Sequence, residues 1–230
     1  MRMNIRWLAL LGAVWYSSPV LVAQSAGPGG AQDIMDQYVQ RTLAKDLQGT
    51  MDLFEDSANT YFHINGILYF TVDNDQSLFQ IAAGKNDVDG WSSIQQGFSD
   101  YFAVLVEALP VQIVTRTEGQ GLKAPLDGRG KIDGETNYLL LAKFYVDDQG
   151  HTGYGIVHGL DQFRIKHGRI ANINNLEKSV FLSADESAYL DTLTIPAKQQ
   201  WARQRTCELA ASVFSSIDVE KRFDIGLPCQ

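Results

Sequence analysis

The spacing of apolar residues changes along the chain from helical to strand-like, and this change predicts the order of the elements. Over residues 33–54 the apolar and aromatic residues recur mainly three and four apart, which predicts a helical region with one buried stripe. Gly49 lies inside this region and predicts a bend between two helices. Residues 91–106 return to the helical spacing, and Pro110 closes that second helical region.

Stretches rich in aromatic and β-branched residues predict strands. The first covers residues 60–72, and the dipeptide Asn65-Gly66 inside it is typical of a hairpin turn. Later strands are predicted at residues 111–117, 138–146, 154–165 and 170–176. The glycine-rich residues 118–135 predict a long, mobile loop or an extended hairpin. Helices followed by a run of antiparallel strands are typical of an α+β domain with helices across one face of a curved sheet.

Residues 183–230 predict a helical extension of this domain. Ser183 and Glu186 form a capping-box pattern that begins one helix, and Pro196 begins a last one. A curved sheet encloses a cone whose mouth can hold a small apolar molecule. We therefore expect the extension to cover the outer face of the sheet, to plug the cone or to bind a partner.

The first 23 residues have the three parts of a secretory signal. Arg2 and Arg6 give a basic start, residues 7–15 an apolar run, and residues 21–23 a cleavage site. The apolar run is too short to span a bilayer comfortably, and an uncleaved anchor is the alternative. We expect export to the periplasm or the medium, no membrane span after cleavage, and a linker at residues 24–32 before the domain of residues 33–182.

Composition and charge narrow the class of protein. The 230 residues are 45% hydrophobic and 20% charged, which is ordinary for a globular protein. The net charge is -8, and removal of residues 1–23 lowers it to -10, with 17 basic residues against 27 acidic ones. Because an acidic chain does not hold phosphate backbones, nucleic acid is not expected as a partner.

Cysteine and histidine usage predicts a disulfide and no metal. Cys207 and Cys229 are too few for a disulfide scaffold or a cysteine-rich zinc site. In an exported protein they are expected to pair, which would add about 3 kcal/mol to the free energy of unfolding. Two free thiols are the alternative. The four histidines lack the spacing of metal ligands, so neither a metal nor another cofactor is predicted.

Three stretches together resemble one superfamily. They are Tyr-Val, Ala-Lys-Asp-Leu-Gln-Gly and Leu-Phe-Glu-Asp within residues 38–56, Gly-Trp-Ser-Ser-Ile at residues 90–94, and Leu-Asp-Gln-Phe-Arg-Ile with Gly-Arg-Ile within residues 160–170. Their order and spacing resemble the nuclear transport factor 2-like (NTF2-like) superfamily, whose members include SnoaL-like cyclases, ketosteroid isomerases and scytalone dehydratases. The resemblance implies an NTF2-like cone, in which a curved antiparallel sheet wraps around N-terminal helices.

The resemblance to ketosteroid isomerases also implies an oxyanion site. In that family a Tyr of the first helix and a protonated Asp of a late strand donate hydrogen bonds to an enolate oxygen, and Tyr38 and Asp161 match these positions. A neutral Asp can donate only where an apolar site raises its pKa, as it does in ketosteroid isomerase. The family's general base, a carboxylate on the first strand, falls on Phe62 here. The base is therefore missing at its usual position.

His63 is a candidate replacement for that base, because an imidazole accepts a proton near neutral pH. Strand alternation places it on the face opposite Phe62 unless a bulge or a slip intervenes. By the same alternation His158 and Asp161 face opposite sides, so His158 is expected to face solvent or a subunit interface. A purely structural Asp161, bonded to Tyr38 or to backbone amides, is the alternative to a functional one.

Aromatic residues are numerous enough to line an apolar cavity, and we expect a small apolar or aromatic molecule as its ligand. The expected ligand-binding residues are Tyr61, Phe62, Phe102, Tyr138 and Phe163. One hypothesis is an isomerase, lyase or cyclase that acts on a small apolar carbonyl compound. A second is a non-catalytic module that holds an apolar ligand in the same cavity, and a third is a structural or assembly module. For the third, the resemblance implies a homodimer through the outer face of the sheet, at Ile156, His158 and Leu160.

Overall fold

The computed structural model describes residues 30–72 and 75–209, without the side chains of residues 75–78 and 81–82. The predicted signal peptide, nearly all of the linker, Cys229 and the end of the last predicted helix lie outside the described residues. Export and the pairing of Cys207 with Cys229 therefore stay predictions. Within the described ranges, no helix combines the length and the apolar character that a membrane crossing needs.

The described part of the chain confirms the predicted α+β class. Its helices are α1 (Ala31–Leu43), α2 (Leu47–Met51), α3 (Trp91–Val104), α4 (Ala184–Asp191) and α5 (Ile195–Leu209). Its strands are β1 (Tyr61–Val72), β2 (Asp75–Asp89), β3 (Leu105–Thr117), β4 (Gly134–Tyr145), β5 (Thr152–Lys166) and β6 (Arg169–Phe181). The first three helices lie on one face of the sheet. This arrangement of helices and sheet is the cone that the resemblance implies.

The strands form one sheet in the order β2-β1-β6-β5-β4-β3. Neighbouring strands are antiparallel except β1 and β6, which run parallel from the Tyr61–Asn172 pair to the Phe70–Phe181 pair. The prediction of a wholly antiparallel sheet is therefore wrong at this one pair. The first and last strands are brought together by the whole chain between them, so no local turn dictates their relative direction.

Two strand predictions are corrected by the same part of the sheet. Asn65-Gly66 makes no turn, because β1 is a central strand and both residues pair with β2 on one side and β6 on the other. Sheet pairing on both sides overrides the local preference of the dipeptide for a turn. Strand β2 was not predicted, since its sequence is polar and rich in alanine and glycine near its centre.

The break between the first two helices lies before the residue that predicted it. Lys45 has a φ of 56°, and Asp46 then caps α2 by accepting a hydrogen bond of 2.9 Å from the backbone N–H of Gly49. A Cβ at Gly49 would overlap the Asp46 carboxylate. The glycine therefore serves the cap inside α2 and does not make the bend.

Aromatic rings fill the interior of the cone. The ring of Phe98 on α3 lies 5.7–6.3 Å from the rings of Tyr38, Phe54, Phe62 and Phe102. A recess beside Phe98 is lined by Phe62, Val88, Ile94 and Gly97 and is too narrow to admit a water molecule. The interior is therefore a packed aromatic core.

The outer face of the sheet is also buried, under α4 and α5. A second core joins Leu139, Ile156 and Val180 of the sheet to Leu190 and Leu209 of these helices. Of the roles expected for the extension, covering the outer face is the one that its described part fills. The residues expected at a homodimer interface, Ile156, His158 and Leu160, are at most 5% exposed in the folded chain, and dimerisation itself stays a prediction.

His158 on the same outer face is 5% exposed, so the expectation that it faces solvent or a subunit is wrong. It lies opposite Lys178 on the neighbouring strand. Burial and the charge of Lys178 lower the pKa of His158 to about 3, so the imidazole stays neutral. Strand alternation predicted the correct face of the sheet for His158. It could not predict that other segments of the same chain cover that face.

Residues 118–133, called the strap here, cross the rest of the outer face. Leu126 of the strap packs against Leu160 and Leu176. Gln162 accepts a hydrogen bond from the Leu126 N–H at 2.7 Å and donates one to the Ala124 carbonyl at 3.1 Å. The segment predicted to be a mobile loop is therefore fixed to the sheet by side chains of β5.

Candidate functional site

A group of polar side chains lies inside the cone among the aromatic rings. It consists of Tyr38 from α1, Tyr138 from β4, Asp161 from β5, and Asn175 and Glu177 from β6, and is called the inner cluster below. Each of these side chains is between 2% and 5% exposed. Polar groups this deeply buried need hydrogen-bond partners. The partners that each group has, or lacks, therefore show what the cluster can do.

Strand alternation and one glycine bring the cluster together. Asp161 lies opposite Asn175 in the β5–β6 ladder, and Gly159 lies opposite both Tyr138 and Glu177. A Cβ at Gly159 would overlap the Tyr138 ring, so that ring lies across the glycine toward β6. The absence of a side chain at Gly159 therefore lets Tyr138 reach the polar residues of the last strand.

Asn175 is the central donor of the inner cluster. Its amide nitrogen donates to Asp161 Oδ1 at 2.8 Å and to the Tyr138 hydroxyl oxygen at 2.8 Å, which uses both of its N–H groups. Ser179 donates to Glu177 Oε1 at 2.5 Å. Among the described residues no group is in hydrogen-bonding geometry with Glu177 Oε2 or Asn175 Oδ1. Two acceptor atoms of the inner cluster thus lack a donor among the described residues.

Burial changes the acidity of both carboxyl groups in the cluster. Burial raises the pKa of Asp161 to about 7. Burial also raises the pKa of Glu177 to about 7, and the charge of Asp161 adds to that effect. Two buried carboxyl groups that feel each other's charge resist double ionisation, so the pair retains a proton near neutral pH.

The two tyrosines of the cluster stay protonated. Burial, and secondly the charge of Asp161, raise the pKa of Tyr38 and of Tyr138 well above the ordinary value. Their neutral hydroxyls can donate hydrogen bonds to a negatively charged oxygen, and a protonated carboxyl group can do the same. No three His, Cys, Asp or Glu side chains are grouped as metal ligands anywhere in residues 30–72 and 75–209.

Most of the residues expected from the sequence are found inside the cone. Tyr38 and Asp161 both belong to the inner cluster, and the Tyr38 ring lies 5.3 Å from that of Phe163. Phe62, Phe102, Tyr138 and Phe163 all belong to the inner core. Phe62, the residue that the resemblance places at the carboxylate position, is a buried phenyl ring.

Tyr61 and His63 lie on the other side of β1. Their rings stack with centroids 4.2 Å apart, and His63 Nδ1 lies 2.7 Å from Asp87 Oδ1. The Tyr61 hydroxyl accepts a hydrogen bond of 2.6 Å from Arg164. The expectation that Tyr61 lines the cone is therefore wrong, and His63 is not placed to act on a molecule inside it. Regular alternation around Phe62 is the cause, because no bulge reverses it there.

Asn175 and Glu177 were missed in the sequence. The predicted strand ended at Leu176, because the following Glu177, Lys178 and Ser179 are polar. Strand β6 continues to Phe181, which belongs to the inner core together with Ile173. Counting by twos from Ile173 to Phe181 passes through Asn175, Glu177 and Ser179, and that alternation was the signal that could have identified them.

No family model matches this chain, and no curated protein matches it. Similar solved structures include a ketosteroid isomerase-like protein from Erwinia carotovora, 7% identical over 64% of this chain and 92% of its own, with a TM-score of 0.36. An NTF2-like protein of unknown function from Cytophaga hutchinsonii is 10% identical over 64% and 99%, with a TM-score of 0.34. A phenazine biosynthesis-related protein from Pseudomonas aeruginosa is 12% identical over 68% and 83%, with a TM-score of 0.38.

Proposed function

We propose that the protein is an acid–base catalyst of the isomerase, lyase or cyclase type, which acts on a small apolar carbonyl compound inside the cone. One observation carries the proposal: two buried carboxyl groups with raised pKa lie beside two protonated tyrosines. Tyr38 and protonated Asp161 donate hydrogen bonds to the carbonyl oxygen. Donors in a dry interior stabilise best the charge that develops on that oxygen during proton transfer.

The surroundings of the cluster favour an apolar substrate. The inner core around it is aromatic and aliphatic. The buried basic side chains of the described residues, Lys178, Lys198 and Arg205, belong to the outer side of the sheet or to α5. An anionic substrate would therefore find no buried cation facing it in the described part of the cone. Aromatic walls with a few convergent polar groups are typical of sites for small apolar molecules.

Substrate entry requires the aromatic core to open. The recess beside Phe98 does not admit water, and the inner cluster is almost completely buried. We propose that α3 moves away from the sheet, since Phe98 on this helix packs against both Tyr38 and Phe62. Opening of this kind makes binding slower than diffusion.

A second candidate function is a non-catalytic binding or assembly module. The close packing of the interior favours it, because a closed core needs no substrate. In that case the inner cluster only fixes the packing of α1 against the sheet.

Export remains part of the proposal. A secreted chain should begin at Gln24 or close to it when it is produced in a bacterial host. The intact mass of the protein from the periplasm or the medium tests this directly, and a mass that includes Met1 would contradict it.

Binding of an apolar phenol tests the proposed site, because a phenolate imitates an enolate oxygen. Trp91 packs against the inner core, so tryptophan fluorescence can follow a titration with 2-naphthol. Tyr38→Phe and Asp161→Asn should each weaken binding at least about tenfold, or 1.4 kcal/mol. Tyr154→Phe is the matched control, since Tyr154 is buried on the outer face. Binding that ignores both inner substitutions would leave only the second candidate.

A further inference from the structure

The proposed reaction requires a group that accepts a proton from carbon, and neither Phe62 nor His63 can supply it. We propose that Glu177 is the general base of the cone and that the substrate class is a ketone with an acidic C–H next to its carbonyl. This inference rests on the proposed function and adds to it the residue that removes the proton.

The position of Glu177 in the sheet makes it the centre of the inner cluster. It lies on β6 between Gly159 of β5 and Gly66 of β1, neither of which has a side chain. The Tyr138 ring occupies the space over Gly159. Glu177 therefore faces Tyr138 on one side and has only backbone beside it on the other. The titratable groups around it are Asp161, Tyr138 and Tyr38: the charge of Asp161 raises the pKa of Glu177, the Tyr138 hydroxyl lowers it by hydrogen bonding, and the charge of Glu177 raises the pKa of Tyr38.

The two oxygens of Glu177 have different surroundings. Oε1 accepts the hydrogen bond from Ser179, which fixes the orientation of the carboxylate. Oε2 is buried and has no partner among the described residues. Glu135 on the outer face also has a buried oxygen without a hydrogen bond, but Arg116 lies 3.5 Å from it, whereas no ion pair involves Glu177 among the described residues. Glu177 thus has one oriented oxygen with a free lone pair, which is what a base needs.

The proton transfer balances within the side chains named. Glu177 Oε2 takes the proton from the carbon next to the carbonyl, and the C–H electron pair forms a C=C bond. The carbonyl π pair moves to oxygen, where Tyr38 and protonated Asp161 donate hydrogen bonds. When the proton on Glu177 exchanges with a deuteron of the solvent, return of that deuteron to the same carbon gives isotope exchange, whereas return of the proton to the far carbon of a conjugated enolate gives isomerisation. The raised pKa of Glu177 suits a base that works near neutral pH.

Hydrogen–deuterium exchange of 2-tetralone, an aromatic ketone, tests this role. The mature chain is incubated with 2-tetralone in deuterated buffer, and proton NMR follows loss of the signal next to the carbonyl. Glu177→Gln should lower the catalysed exchange rate by about 10²–10⁴-fold. The matched control is Glu135→Gln, because Glu135 is an equally buried carboxylate on the outer face of β4. It should leave the exchange rate unchanged.

Binding of 2-naphthol separates failure of this inference from failure of the proposed function. Lost exchange with retained naphthol binding in Glu177→Gln supports the base. Retained exchange, or loss of binding together with exchange, overturns the role of Glu177. Absence of exchange in the unmodified chain overturns the proposed function itself, and the base with it.

Ser179→Ala keeps the proposal testable if Glu177→Gln does not fold. The hydrogen bond from Ser179 lowers the pKa of Glu177, so its removal should move the inflection of the exchange rate to higher pH. An unchanged pH profile in this variant would overturn the assignment of the base.

Discussion

The two faces of the sheet bury the same kinds of polar side chain and satisfy them differently. On the outer face Gln162 uses its amide to hold both a carbonyl and an N–H of the strap, and Arg164 forms two hydrogen bonds of 2.8 Å with Asp127. On the inner face Asn175 is the main donor and two carboxyl groups compete for partners. Burial alone therefore does not mark a site, because both faces bury polar side chains, and the faces differ in the partners that their carboxyl groups have.

The acidity of the carboxyl groups shows the same difference. The guanidinium of Arg164 holds the pKa of Asp127 at about 2. Among the residues that the structure describes no cation shifts the pKa of Asp161, and burial raises that pKa to about 7. A charged partner therefore determines the chemistry on the outer face, and loss of solvent determines it on the inner face.

The largest expected effect is a change of stability with pH at Asp161. Its pKa is raised on folding, so its contribution to stability is fully present below the unfolded pKa near 3.8 and is lost as pH rises through about 7. The free energy of unfolding of Asp161→Asn, relative to the unmodified chain, should therefore rise by about 4 kcal/mol from pH 4 to pH 8. Urea unfolding across this interval measures it.

Asp127→Asn is the contrasting variant. The pKa of Asp127 lies near 2, so its stabilising contribution is present above about pH 3.8 and is lost only at lower pH. Its stability relative to the unmodified chain should stay constant between pH 4 and pH 8. Equal pH slopes for the two variants would contradict the difference between the faces.

Neighbouring residues on β5 test whether both faces are true cores. Ile156 is buried on the outer face and Val157 on the inner face. Ile156→Ala should lower the free energy of unfolding by about 3 kcal/mol, because α4 and α5 cannot refill the cavity. Val157→Ala makes the corresponding truncation on the inner face of the sheet. An effect at Ile156 typical of a surface position would show that the outer face is not covered in solution.

Replacing Arg164 should weaken the attachment of the strap to the sheet, because its guanidinium bonds both oxygens of Asp127. Arg164→Lys keeps the charge but cannot bond both oxygens of Asp127, and it should cost about 1–3 kcal/mol. Faster amide exchange confined to residues 118–133 is the expected signature in mass spectrometry. Lys131→Gln is the control, since its ion pair with Glu118 is largely exposed and should matter little. Equal acceleration of amide exchange by both substitutions would contradict the role of Arg164 in holding the strap.

The smallest effect is expected at the start of α4. The Ser183 hydroxyl oxygen accepts a hydrogen bond from the Glu186 N–H, and the Glu186 carboxylate accepts one from the backbone N–H of Ser183. Ser183→Ala should lower the free energy of unfolding by about 1 kcal/mol, and Ser183→Thr should largely preserve it. Thermal unfolding of the two variants makes the measurement, and identical melting temperatures would contradict a functioning cap.

The sequence was informative where local pattern and burial agree. The helical stripe with Tyr38, the inner placement of Asp161 and the capping box at Ser183 follow from short-range rules, and the structure has all three. The position of Tyr38 against Asp161 came from the resemblance. Periodicity alone would not have joined a helix to a strand so distant in sequence.

The remaining features depend on contacts between distant segments. Asn65-Gly66 lost its turn to pairing on both sides, and His158 became buried because α4 and α5 fold back over its strand. Glu177 was missed because polar residues at the end of a pattern normally indicate a strand end. A local sequence pattern does not show whether a distant segment of the chain covers a polar residue.

The covering of the outer face by α4 and α5 has a consequence for the order in which the chain is made. These helices follow the last strand, so the sheet can be complete while its outer apolar residues are still bare. An emerging chain therefore passes through a stage with an exposed apolar sheet face, on which aggregation competes with folding. This stage ends only when α4 and α5 have left the ribosome and folded onto the outer face of the sheet.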